Sequence, residues 1–358
     1  MLSSCNKENF LTLVRLGIEH KGGALTKRVE WDAIEAIAAS QGLSAIVLDG
    51  IDRLPVRERP PQILLLNWIG EVLHGYEARY DAYKKAIAEM SAFYNQHGFK
   101  MMVIKGYACG IDWPRPEHRP YGDIDIWQFG EYQEADVIIE KEKGIKVDHS
   151  HHHHTVFNWG EFSVENHYDF NNVHHHKSSV KLENIFKELG KDDSYSVDVD
   201  GQKVYLPSPN LHTLFLLKHS MTDFAAFYVT LRQVLDWGFH VKRHHKEIDW
   251  EWMKKVMEEF HMTEFFNCIN AICVEDLGFE VKIFPYIQFN PMLKDRVLND
   301  ILNPEFSRES PKGLVARLVF KYRRWKGNAW KHEMCYNESM WSAFWSGVWN
   351  HITKPASI

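Results

Sequence analysis

The chain lacks the marks of several large protein classes. Its 5 cysteines are Cys5, Cys109, Cys268, Cys273 and Cys335. Their number is odd, their spacing is scattered and no CxxC pair occurs, which argues against a disulfide framework and against a cysteine-held zinc. A reducing cytoplasmic compartment is therefore expected. The first residues mix Lys7, Glu8, Arg15 and Glu19 with apolar ones, so no signal peptide is expected. No stretch approaches the roughly 20 apolar residues of a membrane span, and stable membrane association is not expected. Positive charge is not in excess. With 42 Lys plus Arg against 48 Asp plus Glu, the formal net charge is −6. Long nucleic acid normally demands a basic domain or stripe, so it is not an expected partner. There is no internal repeat and no low-complexity linker.

What is present is an ordinary globular composition, 45% hydrophobic over 358 residues, too long for a single core of usual size. The patterning divides it into three. Residues 1–98 read as helical: Phe10, Leu11, Val14 and Ile18 recur at helical spacing, as do Ile34, Ile37 and Ala38 before a stop at Gly42. Pro60-Pro61 then opens a periodic stretch that runs to Gly98. Residues 99–208 alternate short apolar runs with turns. Strands are predicted at Met101–Ile104, Ile124–Trp127, Thr155–Trp159, Phe162–Phe170 and Val204–Leu206, with a helix at Tyr132–Lys143. Residues 209–358 return to helix and end in a tryptophan-rich face formed by Trp341, Phe344, Trp345, Val348, Trp349 and Ile352. The expected fold class is α+β, a mixed-sheet module flanked by helical regions.

The chemistry is concentrated in Gly122-Asp123-Ile124-Asp125-Ile126. Side chains alternate along a strand, so Asp123 and Asp125 share one face and the isoleucines take the other. Two adjacent carboxylates repel each other unless a cation sits between them. Mg²⁺, which prefers hard oxygen ligands, is the usual one. In Ser163-Val164-Glu165-Asn166-His167-Tyr168-Asp169-Phe170, a strand would align Glu165, His167 and Asp169. Glu165 is the preferred third acid and Asp169 the substitute. At Lys105-Gly106 a strand hands over to the next element, and glycine there lets backbone approach a phosphate.

These motifs, in the order Ile104-Lys105-Gly106, Arg119-Pro120-Tyr121-Gly122-Asp123-Ile124-Asp125 and Val164-Glu165-Asn166-His167-Tyr168, resemble the uncharacterised nucleotidyltransferase family of the DNA polymerase β-like superfamily. Leu231-Arg232-Gln233-Val234-Leu235-Asp236-Trp237, after Lys218-His219, is similar to that family's downstream helical segment. The resemblance covers roughly residues 62–237. It implies a small mixed sheet with catalytic acids on neighbouring strands, Mg²⁺ (two ions) and a nucleoside triphosphate as substrate. Carried onto this chain, Asp123, Asp125 and Glu165 are metal ligands and Gly106 lies in the phosphate turn. The implied reaction moves a nucleoside monophosphate from an NTP to an acceptor. The acidic balance favours a small molecule or protein as that acceptor.

Other residues carry weaker expectations. Lys105 and Arg119 are candidates for phosphate contact, and Arg119 equally for pairing with a nearby acid. His167, Asp169, Lys218 and His219 are candidate cleft residues. His149, His151-His152-His153-His154 and His174-His175-His176 could line a cleft beside Glu165, form polar surface or hold Zn²⁺. On a strand, His149, His151 and His153 would share a face. Two alternative functions follow. The Lys105-Gly106-Tyr107 turn departs from the wider superfamily's Gly-Gly or Gly-Ser, which suits a module that binds nucleotide or a partner without turnover. The histidine runs suit a histidine-metal hydrolase.

Overall fold

Strand alternation in the middle of the chain sorts side chains onto two faces, and each face has its own core. A computed structural model describes residues 4–341 except 22, 26–28, 174–175, 286–287, 289 and 307–310. The strands are β1 (Met102–Val103), β2 (Ile124–Trp127), β3 (His154–Trp159), β4 (Phe162–His167), β5 (Ser196–Val199) and β6 (Gln202–Tyr205). They form one mixed sheet in the order β3-β4-β2-β1-β6-β5. β2 runs parallel to β4 and β1 parallel to β6; the other pairs are antiparallel.

On one face Met101, Val103, Ile124, Ile126, Val164 and Val204 join Tyr83, Ile87, Met90 and Tyr94 of the helix Ala78–Gln96 and Ala135 and Ile139 of the helix Tyr132–Lys143. The helical residues recur every three to four positions, which makes one buried stripe. Ile124 and Ile126 are fully buried, each contributing roughly 1.5–3 kcal/mol. On the other face Met102, Ile104, Trp127 and Tyr205 belong to a larger core. That core holds the N-terminal helices Ser4–Gly17, Trp31–Gln41 and Ser44–Asp52 together with the later helices Pro209–Ala226, Leu231–His244 and Thr263–Ala271.

The three consecutive regions read from the sequence therefore fold into two cores. The early helices pack with the late ones, while Ala78–Gln96, although it lies before residue 98, covers the sheet. The helix from Gln62 continues through a π-helical turn at Val72–Glu77 into Ala78–Gln96, as one stretch. Gly42 ends its helix in the left-handed conformation, φ 67°. The strand β5 was not expected. The helix Ser44–Asp52 lies in the stretch read as helical but carries no clear apolar period of its own, and it packs backbone to backbone on Ser4–Gly17. A Cβ on Gly50 would lie 2.1 Å from the Leu13 carbonyl oxygen.

Two local expectations are corrected. β4 ends at His167, because the Tyr168 and Asp169 amides both donate to the His153 carbonyl and turn the chain. Asp169 thus does not continue the face of Glu165. The strand that follows the histidine run starts at His154, so residues 149–153 form a turn and do not alternate. Most of the C-terminal tryptophan face, residues 342–352, lies outside the described residues, as do His174 and His175. Among the described residues, no helix is long and apolar enough to cross a membrane.

Candidate active site

The site begins where the chain enters β2. The Tyr83 hydroxyl donates to the Asp123 carbonyl at 2.9 Å and pins the start of the strand. Gly106 lies against that hydroxyl: a Cβ there would sit 2.1 Å from Tyr83 Oη, and its φ is +52°. Both facts demand glycine. In the parallel pairing of β2 and β4, Asp125 is the register partner of Glu165. Ile124 and Ile126 point to the sheet's inner core, so Asp125 must point the other way. There it meets a cleft of about 660 Å³ between the sheet and the helices Trp31–Gln41, Pro209–Ala226 and Leu231–His244. Asp123, Asp125, Glu165, Lys105, Gly106, Arg119 and His219 all line it. The three acids expected to act together thus open onto one space.

Asp125 is 1% exposed. Its Oδ1 is 3.2 Å from Lys105 Nζ and 3.2 Å from His167 Nε2. Burial alone would raise its carboxyl, but Lys105 and then His167 outweigh burial and hold it well below the usual range. His167 Nε2 also lies 3.5 Å from Glu165 Oε2. Burial opposes ionisation of Glu165, and the His167 contact leads the groups that bring it down to about 2. Burial likewise opposes protonation of His167, yet the two carboxylates raise it to about 9. Asp123 moves the other way: enclosure in the cleft and the adjacent Asp125 charge raise it. The paired acids are thereby split, as repulsion between neighbours dictates.

The histidine run supplies two more cleft residues, His153 and His154. Burial, reinforced by neighbouring imidazoles, lowers His153 to about 2; burial lowers His154 to about 4. Both rings are kept neutral at ordinary pH. His154 Nδ1 lies 3.7 Å from Glu165 Oε2. The ring nitrogens of His153, His154 and His167 fall within 4.8 Å of one another, as do the donor atoms of Asp125, Glu165 and His167. His149 stays largely exposed.

The remaining expected residues separate. His167 is buried behind the acids. Asp169 pairs with Lys187 at 2.5 Å, away from the cleft. Arg119 is 2% exposed and bidentate on Asp236, with Nε to Oδ1 2.8 Å and Nη2 to Oδ2 3.0 Å. Of its two readings, the structure displays the acid partner. Lys218, one residue before His219, points away from the cleft, to a pocket it shares with His176 and Tyr336. Its Nζ sits 4.7 Å from the centre of the Tyr336 ring. Arg232 was missed as a site residue, although it lies inside a quoted motif. Its side chain is 26% exposed in the cleft, 3.6 Å from Asp236. Asp223 also lines the cleft and lies 3.5 Å from His219 Nε2. Helical spacing gave no signal that either residue faces a shared space.

The burial of Lys218 has a measurable consequence. Burial pushes its ammonium down to about 8. The unfolded chain keeps that proton up to about 10.5, so between these values the unfolded state binds more protons. Stability must then rise with pH across this interval. In Lys218→Met the melting temperature should lie above wild type at pH 7, and the rise between pH 8 and pH 10 should flatten. A parallel shift of both curves would show that the lysine is not the source.

No curated protein and no solved structure gave a significant match. A family model described as an uncharacterised nucleotidyltransferase matches residues 27–278. That span is more than half of the chain, and it includes the sheet, the acids and both late helices that close the cleft. The chain belongs to the uncharacterised nucleotidyltransferase family.

Proposed function

We propose that this protein moves a nucleoside monophosphate from an NTP to a small-molecule or protein acceptor, in a reaction dependent on Mg²⁺. The observation that carries the reading is the opening of Asp123, Asp125 and Glu165, from neighbouring parallel strands, onto a single cleft. The donor set fits a hard divalent ion, because it consists of carboxylate oxygens and those of Asp125 and Glu165 are within 4.8 Å of one another. Asp123, Asp125 and Glu165 would hold the metal, two ions in the full reading. Bound there, it would neutralise the triphosphate and the leaving pyrophosphate.

The protein's own groups do the rest. Lys105 balances the charge of Asp125 and adds positive potential at the cleft floor. Asp236 locks Arg119, and with it the loop that leads into Asp123. Arg232 is the more accessible of the two guanidiniums and takes the phosphate role first expected of Arg119. The cleft is of small-ligand size, within the roughly 300–1,000 Å³ usual for such sites, and the net charge of −6 disfavours long nucleic acid as the acceptor.

Calorimetry with ATP and CTP, with and without Mg²⁺, tests the reading. Metal-dependent nucleotide binding should disappear in the double variant Asp123→Asn, Asp125→Asn; binding unchanged by it would sink the proposal. Zinc bound stoichiometrically and lost on changing His153 and His154, with both aspartates dispensable, would favour the hydrolase. Arg232→Ala should weaken nucleotide binding about tenfold, the scale of a lost charged hydrogen bond, at nearly unchanged melting temperature. Arg119→Ala should instead lower the melting temperature first.

A further inference from the structure

A second cluster lies outside the cleft and owes nothing to the proposed reaction. Asp112 follows the short helix Tyr107–Gly110, and its side chain is 1% exposed. His240 and His244 stand one turn apart on Leu231–His244, hence on one face. His240 Nδ1 lies 3.5 Å from Asp112 Oδ2, and His244 Nε2 lies 3.4 Å from Asp112 Oδ1. All three donor atoms fall within 4.8 Å of one another. Asp112 Oδ1 and His240 Nδ1 are buried and make no hydrogen bond.

The outer contacts fix how the rings are protonated. The Thr213 hydroxyl donates to the Pro209 carbonyl at 2.6 Å, so at 2.9 Å it can only accept from His240 Nε2–H. The neutral ring then turns the lone pair of Nδ1 toward Asp112. His244 Nδ1 lies 2.9 Å from Glu247 Oε1, an acceptor, so Nδ1 carries hydrogen and Nε2 is the ring nitrogen turned toward Asp112. Two imidazole nitrogens and a carboxylate converge, each imidazole anchored from behind. This is the outer-shell pattern that orients histidines on a metal. The separations of 3.4 and 3.5 Å are close to the edge of a tetrahedron with bonds of about 2.0–2.1 Å, roughly 3.3 Å. Arg243 Nε reaches Asp112 Oδ1 at 3.3 Å, from a side chain 61% exposed that has room to swing outward.

We propose that Asp112, His240 and His244 bind a zinc ion, with the fourth position left to water. Imidazole with one carboxylate suits a borderline divalent ion, and zinc favours four-coordination. The ion would tie the segment after Gly106 to the helix that carries Arg232 and Asp236. Its role would be to brace two walls of the cleft, not to react.

The test uses the full chain, stripped with a chelator and titrated with Zn²⁺ and, as a spectroscopic probe, Co²⁺. Wild type should bind one ion per chain with a tetrahedral Co²⁺ spectrum, and Zn²⁺ should raise its melting temperature. The cleft variant His153→Ala, His154→Ala should retain all three responses. His244→Ala, at a partly exposed helix end, should lose them while keeping its circular dichroism. Glu247→Gln, which leaves every ligand in place, should weaken Zn²⁺ binding about 10–100-fold. Zinc absent from wild type, retained by His244→Ala, or lost in the cleft variant would each overturn the proposal.

Discussion

Asp125→Asn is expected to abolish nucleotidyl transfer, with turnover falling by more than about 10²-fold. Even outer-shell changes around a metal cost about 10–100-fold, and Asp125 occupies the centre of the proposed donor set. It is also the residue on which Lys105 and His167 converge, each at 3.2 Å. Asparagine cannot balance two buried cations, so the variant should lose stability as well. Adding Lys105→Met to Asp125→Asn separates the two effects. Removing the orphaned ammonium should recover part of the melting temperature and none of the turnover. Asp169→Asn is the control, because Asp169 is engaged with Lys187 outside the cleft. An Asp125→Asn protein that turns over at a rate close to wild type would remove the metal reading altogether.

The largest effect on stability should come from Asp236→Asn. The carboxylate is 5% exposed at its side chain. It accepts from Arg119 Nε, from Arg119 Nη2 and, at 2.9 Å, from the Trp113 indole, with Arg232 3.6 Å away. Removing one partner of a buried pair costs about 3–5 kcal/mol, because the other charge stays buried without compensation. The amide adds a donor facing Arg119 and worsens the mismatch. For a chain of this size the melting temperature should fall by on the order of 10 °C. Burial alone would raise the Asp236 carboxyl; Arg119 outweighs it and holds the group below its ordinary value. Its stabilisation is therefore present above the unfolded carboxylate pKa and lost as pH falls through the lower folded value. The gap between wild type and Asp236→Asn should close in strong acid. A gap that stays constant with pH would show that the ion pair is not its source.

Particular residues mark how far the sequence could be read. The helix Tyr132–Lys143 and the stop at Gly42 were legible, because helix periodicity and a left-handed glycine are local properties. β2 was legible for the same reason: alternating isoleucine and aspartate can satisfy a buried face only one way. The place of Glu165 beside Asp125 in the cleft was legible once β4 was read as a strand. Asp169 was misjudged because one carbonyl, that of His153, captures two amides and stops the ladder. No alternation rule anticipates that. Lys218 and His219 looked like one cleft element, but neighbours on a helix point about 100° apart, and only one of them could face the acids.

The sequence by itself therefore determined the α+β class, which depends on spacing within a few residues, carried the motifs by which the chain resembles its family, and put Asp123, Asp125 and Glu165 forward as candidates. Tertiary structure decided which cations those carboxylates meet. Arg119 was committed to Asp236, 117 residues away; Arg232 was left open to the cleft; His153 and His154 were brought beside Glu165, and Asp112 beside His240. The physical reason is the same in each case. An ion pair or a ligand cluster forms where packing brings side chains from distant segments together, and local periodicity carries no record of that distance.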